Sequence, residues 1–143
     1  MNLVEFLARG AGYIASYAAV GLILMIIGFY VIDMAIPGKL SHIIKTERNP
    51  NATLLTTSGL AAVGLIVAAS IWASGGKLLE GLAGTAVFGL VGIVVQTIAM
   101  IVFDRVIGIS VKDLVKEPEP QPGARLLAVT HLAIGLITAV AVI

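Results

Sequence analysis

The chain has 143 residues, 59% of them apolar and 12% charged, with a net charge of +1 and no cysteine. A soluble domain carries roughly 25% charged residues, so this strongly hydropathic composition excludes a water-covered globule and makes lipid the main solvent. The absence of cysteine excludes disulfides and thiolate metal sites, and a near-neutral charge with no basic patch gives no case for nucleic acid.

Residues 2–9, NLVEFLAR, set four apolar side chains beside one acid and one base and predict an interfacial turn or two. From Gly10 to Ile36 the only ionisable side chains are Tyr13, Tyr17, Tyr30 and Asp33. That run exceeds the roughly 20 residues needed to cross the hydrocarbon and is too long for the 7–15-residue core of a cleavable signal. It reads as a retained transmembrane helix, stopped by Pro37-Gly38. In residues 37–53, PGKLSHIIKTERNPNAT, Leu40, Ile43 and Ile44 recur at helical spacing among basic residues. This pattern predicts a short amphipathic helix on the membrane surface. Asn49-Pro50-Asn51 is a turn, and Thr53 is placed to cap a second span over about Leu54 to Ala73. Trp72 suits the headgroup level at its far end.

Ser74-Gly75-Gly76 forms a tight loop, and Lys77 and Glu80 open a third span from about Leu79 to Ile107. Residues 108–123, GISVKDLVKEPEPQPG, make a second amphipathic connector with Val111, Leu114 and Val115 on its apolar face. Its prolines 118, 120 and 122 give a stiff, extended exit. A fourth span runs from about Ala124 to Ile143.

The second half copies the first. At an offset of 71 positions about 16 residues are identical, among them Gly21 with Gly92, Asp33 with Asp104 and Gly64 with Gly135. The chain therefore divides into two-helix units at 1–73 and 74–143. The expected fold is an all-α integral membrane four-helix bundle of two tandem, parallel two-helix repeats. Seven of the nine basic residues lie in or beside the connectors: Lys39, Lys45, Arg48, Arg105, Lys112, Lys116 and Arg125. The cationic side faces the cytoplasm, which puts both termini outside and connectors 37–53 and 108–123 inside. Both units then enter the membrane in the same sense, related by a pseudo-two-fold along its normal, unlike the inverted repeats of many transporters.

Asp33 and Asp104 are the sharpest polar candidates, because a carboxylate in or near the bilayer needs a partner or water. Arg105 and Lys39 are the cations nearest in sequence, so a structural ion pair at the helix ends is the plain reading. Two symmetry-related carboxylates at the inner mouth of a cation path are the functional one. Thr85, Gly89, Gly92, Gln96 and Ala99 form a small and polar stripe on the third span, and Ala18, Gly21, Met25 and Gly28 are the matching face of the first. Such faces let helices approach closely, within the bundle or between protomers. Gln96 can hydrogen-bond across that seam. His131 reads as a hydrogen-bonded packing residue, since a metal needs three or four convergent ligands. Thr53, Thr56, Thr57 and Ser58 are expected to bond back to their own helix. Lys39, Lys45 and Lys112 are expected on anionic lipid headgroups.

No phosphate-binding loop, HExxH or GxSxG motif occurs, and the chain is read as neither an enzyme nor a cofactor protein. Its expected partners are membrane lipids and either copies of itself or a larger membrane complex, in a structural or accessory role. The alternative is a small oligomeric channel or transporter for ions or a small solute.

Phe29-Tyr30-Val31-Ile32-Asp33, the proline-containing basic connector, Asn49 and Asn51, and the Ala/Gly-rich span around Gly59 and Gly64 resemble the YjfL-like bacterial inner-membrane proteins. In the second unit Phe103-Asp104 and Lys112-Asp113-Leu114 match, while Pro120-Gln121-Pro122-Gly123 departs from the asparagine turn. The resemblance implies four spans in a bacterial cytoplasmic membrane and no particular activity.

Overall fold

A computed structural model describes residues 2–74 and 76–143. Gly75, in the expected Ser74–Gly76 loop, lies outside the described residues. All regular structure among them is helical: α1 (Leu3–Ala35), α2 (Leu40–Lys45), α3 (Pro50–Trp72), α4 (Leu78–Ile107), α5 (Val111–Leu114) and α6 (Pro122–Val142). Four of these, α1, α3, α4 and α6, are long and apolar enough to cross a membrane.

Helix boundaries follow local chemistry. α1 begins earlier than its apolar run, because Asn2 and Glu5 close a reciprocal capping box that satisfies two otherwise orphaned N–H groups. The expected interfacial stub at 2–9 is thus the first two turns of one continuous helix. α3 also starts early. Its cap is Asn49, whose side-chain oxygen accepts the Ala52 N–H at 2.9 Å, with Pro50 in the first turn where no N–H is missed. Thr53 does not cap; its hydroxyl donates to the Asn49 carbonyl. Thr56, Thr57 and Ser58 likewise donate to carbonyls three or four residues back. α4 ends on Gly108, left-handed at φ 70°, a conformation that costs glycine little.

The centre of the bundle is the α3–α6 pair, the most extensive contact in the molecule. Ala52, Ala62, Ala124, Ala128 and Ala139 are buried along it. A Cβ on Gly135 would meet the Ala62 Cβ at 2.5 Å and its Cα at 2.7 Å. Small side chains bring the two backbones together where lipid gives no hydrophobic drive for association. α1 and α4 pack on this pair and on each other.

Both connectors fold back onto one end of the bundle. Leu40 and Ile43 of α2 and Val115 after α5 are buried with Ile36, Ala52, Leu55 and Leu127 in one cluster. Their apolar stripes therefore face protein, not the lipid surface expected for them. The order long–short–long helix occurs twice, at 1–73 and 74–143. Packing is less regular than that order. α3 lies against α4, whereas α1 and α6, which a strict two-fold would pair likewise, are not among the well-packed pairs.

At the far end Tyr17 donates its hydroxyl hydrogen to Ser74 Oγ at 2.9 Å, level with the α3–α4 loop. α1 continues past that point from Ser16 back to Leu3, about 20 Å of further helix. Leu3, Val4, Phe6, Leu7 and Ile14 on this segment are all exposed.

Candidate functional site

The two aspartates end their helices in the same way. Asp33 accepts the backbone N–H of Leu40, the first residue of α2, at 2.7 Å. The Val111 N–H, at the start of α5, faces Asp104. Each carboxylate thus reaches seven residues ahead to the opening turn of its connector helix, where free N–H groups favour negative charge. The ion pairs expected with Lys39 and Arg105 do not form. Among the described residues the ion pairs are His42–Glu47, Lys77–Glu80 and Lys116–Asp113. The backbone amides of the connectors take the place of the cations. On α5 itself, the Ser110 hydroxyl and then the Lys116 ammonium hold the exposed Asp113 carboxyl below the usual carboxylate range.

The helix-packing glycines all face the interior. Gly21 lies against Val67, Gly28 against Val63, Gly89 against Leu24 and Gly92 against Ile66. Their small-residue faces are occupied within one chain. By contrast, an added Cβ at Gly10 or Gly12 would have open space around it.

Past Gly28 and Gly92, toward the connector end, α1 and α4 enclose a pocket of about 480 Å³ that α3 and α6 close from behind. Val31, Ile32, Val63, Ile93, Met100 and Ile101 give it apolar walls, and Arg105 and Lys112 stand at its mouth. Inside lie Gln96, Asp104 and His131. Gln96, 7% exposed, donates from Nε2 to the His131 carbonyl at 2.9 Å. Its Oε1 is buried without a hydrogen-bond partner, as is Asp104 Oδ1. The Ser58 hydroxyl spends its one hydrogen on the Leu55 carbonyl. His131 Nδ1, 3.0 Å from that oxygen, must then carry the proton that bonds them. The ring of His131 is thus hydrogen-bonded to α3, and its backbone carbonyl holds Gln96. The structure thus brings Gln96, Asp104, Arg105 and His131 to one cavity and leaves Asp33 on α2's first turn. Lys39 and Lys45 are exposed at the connector end with Lys112.

Asn49 and Asn51, in the expected turn, tie the first connector to the second. Asn49 Nδ2 donates to the Val115 and Glu117 carbonyls, each at 2.9 Å. Asn51, 1% exposed, shares its two N–H groups among the carbonyls of Leu114, Glu117 and Glu119. Its Oδ1 accepts the Gln121 N–H at 2.8 Å, which fixes the orientation of the amide. The only trace of this in the sequence is the departure of the second turn from the first, Pro120-Gln121-Pro122 in place of Asn49-Pro50-Asn51.

A family model described as "Domain of Unknown Function (DUF350)" matches residues 6–142. A "UPF0719 transmembrane protein" of Mycolicibacterium paratuberculosis is 34% identical over 134 residues, covering 94% of this chain and 89% of that protein. One from Mycobacterium bovis is 29% identical over 125 residues, covering 87% and 82% respectively. No solved structure matches the chain.

Proposed function

The chain belongs to the DUF350 family, and from that premise we propose that it is a non-catalytic, accessory subunit of the bacterial cytoplasmic membrane that self-associates through the free end of α1. The single observation that carries this is the overhang. α1 has 33 residues, about 50 Å of helix, against a hydrocarbon core of about 30 Å. Its Leu3–Ser16 segment leaves the bundle with large apolar side chains uncovered. The same segment carries Ala8, Gly12 and Ser16, and Ala11 and Ala15, at four-residue spacing. That is the pattern by which membrane helices pair closely. The YjfL-like features at Asp33 and the asparagine turn agree with the same address. Connectors facing the cytoplasm and termini facing out follow from the Lys/Arg distribution, and the 1–73 and 74–143 units are read as products of duplication.

Cysteine cross-linking tests the association, since the chain has no cysteine of its own. Under mild oxidation in native membranes, Gly12→Cys is expected to give a covalent dimer and the exposed α6 control Val129→Cys none. If Gly12→Cys stays monomeric while another protein co-migrates after gentle extraction, the partner is a larger complex. If neither occurs, the accessory reading fails.

A second reading, a small channel or transporter for ions or a small solute, draws on the buried acceptors of Gln96 and Asp104. Its obstacle within one chain is apolar. Leu24 packed on Gly89 and Ile66 on Gly92 close the bundle just beyond Gln96. Flux through reconstituted vesicles, lost in Asp33→Asn with Asp104→Asn, is what that reading requires.

A further inference from the structure

We infer that the pocket between α1 and α4 is a binding site for a lipophilic small molecule that donates hydrogen bonds, through a hydroxyl or an amine, to Gln96 and Asp104. Three observations lead there. The cavity is of ligand size, about 480 Å³, within the range of pockets that enclose small molecules. Its walls are largely apolar, with Val31, Ile93, Met100 and Ile101 among them, so the occupant is mostly hydrocarbon. Two of its lining residues, Gln96 and Asp104, each hold a buried acceptor oxygen, Oε1 and Oδ1, without a hydrogen-bond partner.

The last point sets the chemistry. A buried acceptor left alone is costly, and Gln96 has no freedom to turn its amide around, because Nε2 is committed to the His131 carbonyl. The donor must come from the occupant. Gln96 and Asp104 are eight residues apart on one helix, about 12 Å along its axis. The site therefore has a deep acceptor that is neutral and an outer acceptor that is a carboxylate. A hydroxyl satisfies either, while an ammonium favours Asp104. Beyond Gln96 the cavity is blind, closed by Ile66 seated on Gly92. The occupant enters and leaves by the connector end or sideways from the inner leaflet, independently of how copies associate.

The test uses the whole protein in nanodiscs of phosphatidylcholine, whose headgroup donates no hydrogen bond. Three ring-fluorinated probes of nearly one shape are titrated by fluorine NMR: 4-heptylphenol, 4-heptylbenzylamine and the methyl ether 4-heptylanisole. The expected result is that at least one donor-bearing probe binds about tenfold more tightly than the ether. Preference for the phenol marks a hydroxyl ligand with Gln96 as the main acceptor, and Gln96→Leu should then bring phenol and ether together. Preference for the amine marks Asp104, and Asp104→Asn should remove it. Equal binding of all three probes, binding of none, or a preference that both variants leave intact overturns the inference. The phenol–ether–amine comparison on the unaltered protein decides the matter even if a variant fails to fold.

Discussion

The two connectors start from related sequence and end in complementary roles. In the first, Asn49 and Asn51 turn their amides outward as donors; in the second, residues 114–119 offer bare carbonyls to receive them. A prolyl segment suits that role. Pro118 and Pro120 have no N–H to satisfy, and their fixed φ holds the chain extended with its carbonyls available. With asparagine in both turns, two sets of donors would face each other. This difference between the turns lets one connector bind the other, while Asp33 and Asp104 each reach the opening turn of their own connector helix.

That contrast can be broken at several points. The largest effect is expected at Asn51. Asn51→Leu removes the bonds to three carbonyls and to the Gln121 N–H and leaves the half-buried Leu114 and Gln121 groups without that partner, a loss on the order of 3 kcal/mol. Gln121→Ala, which keeps the backbone donor, should cost far less. Unfolding by titrated dodecyl sulfate in mixed micelles checks both. The next effect compares equivalent glycines. Gly135→Ala drives a methyl into the Ala62 backbone, for about 2 kcal/mol of destabilisation. Gly64→Ala, 71 positions earlier and with open space around its Cβ, should be neutral or stabilising by up to about 1 kcal/mol. Asp33→Ala deletes the cap on α2 and should cost about 1 kcal/mol. Asp33→Asn keeps an acceptor there and should restore most of it. The smallest effect lies at Arg48, a non-glycine residue at φ 53° just before the asparagine turn. Asparagine tolerates that region better, so Arg48→Asn should gain about 0.5 kcal/mol.

Much of this molecule could be read from its sequence, and the divide falls at a physical boundary. Four long apolar runs fix four spans, since length against bilayer thickness needs no knowledge of neighbours. Pro37 and the hydroxyls of Thr56 and Ser58 act on their own helices and are equally plain. Which partner covers an apolar face is another matter. Leu40, Ile43 and Val115 have the periodicity of a lipid-facing surface helix, yet they bury against Leu55 and Leu127. Periodicity records that a stripe is apolar; it does not record whether protein or lipid lies against it. The small-residue stripe through Gly89 and Gly92 lies against Leu24 and Ile66. The most extensive helix contact is nonetheless α3 with α6, whose alanines are too common in a membrane span to stand out. Asn51 was hidden for the same reason: its partners lie 63 to 70 residues away. The pocket that joins Gln96, Asp104 and His131 is not legible in the sequence, because its walls come from five helices.

The union of the two connectors through Asn51 is tested most directly by amide hydrogen exchange at Gln121. This residue follows an exposed prolyl stretch, 116–120, where a backbone N–H would ordinarily exchange fast. Its bond to Asn51 Oδ1 predicts exchange as slow as in the core of α3, and fast exchange once Asn51 is replaced by leucine. A Gln121 amide that exchanges at the rate of its exposed neighbours in the unaltered protein would contradict the account.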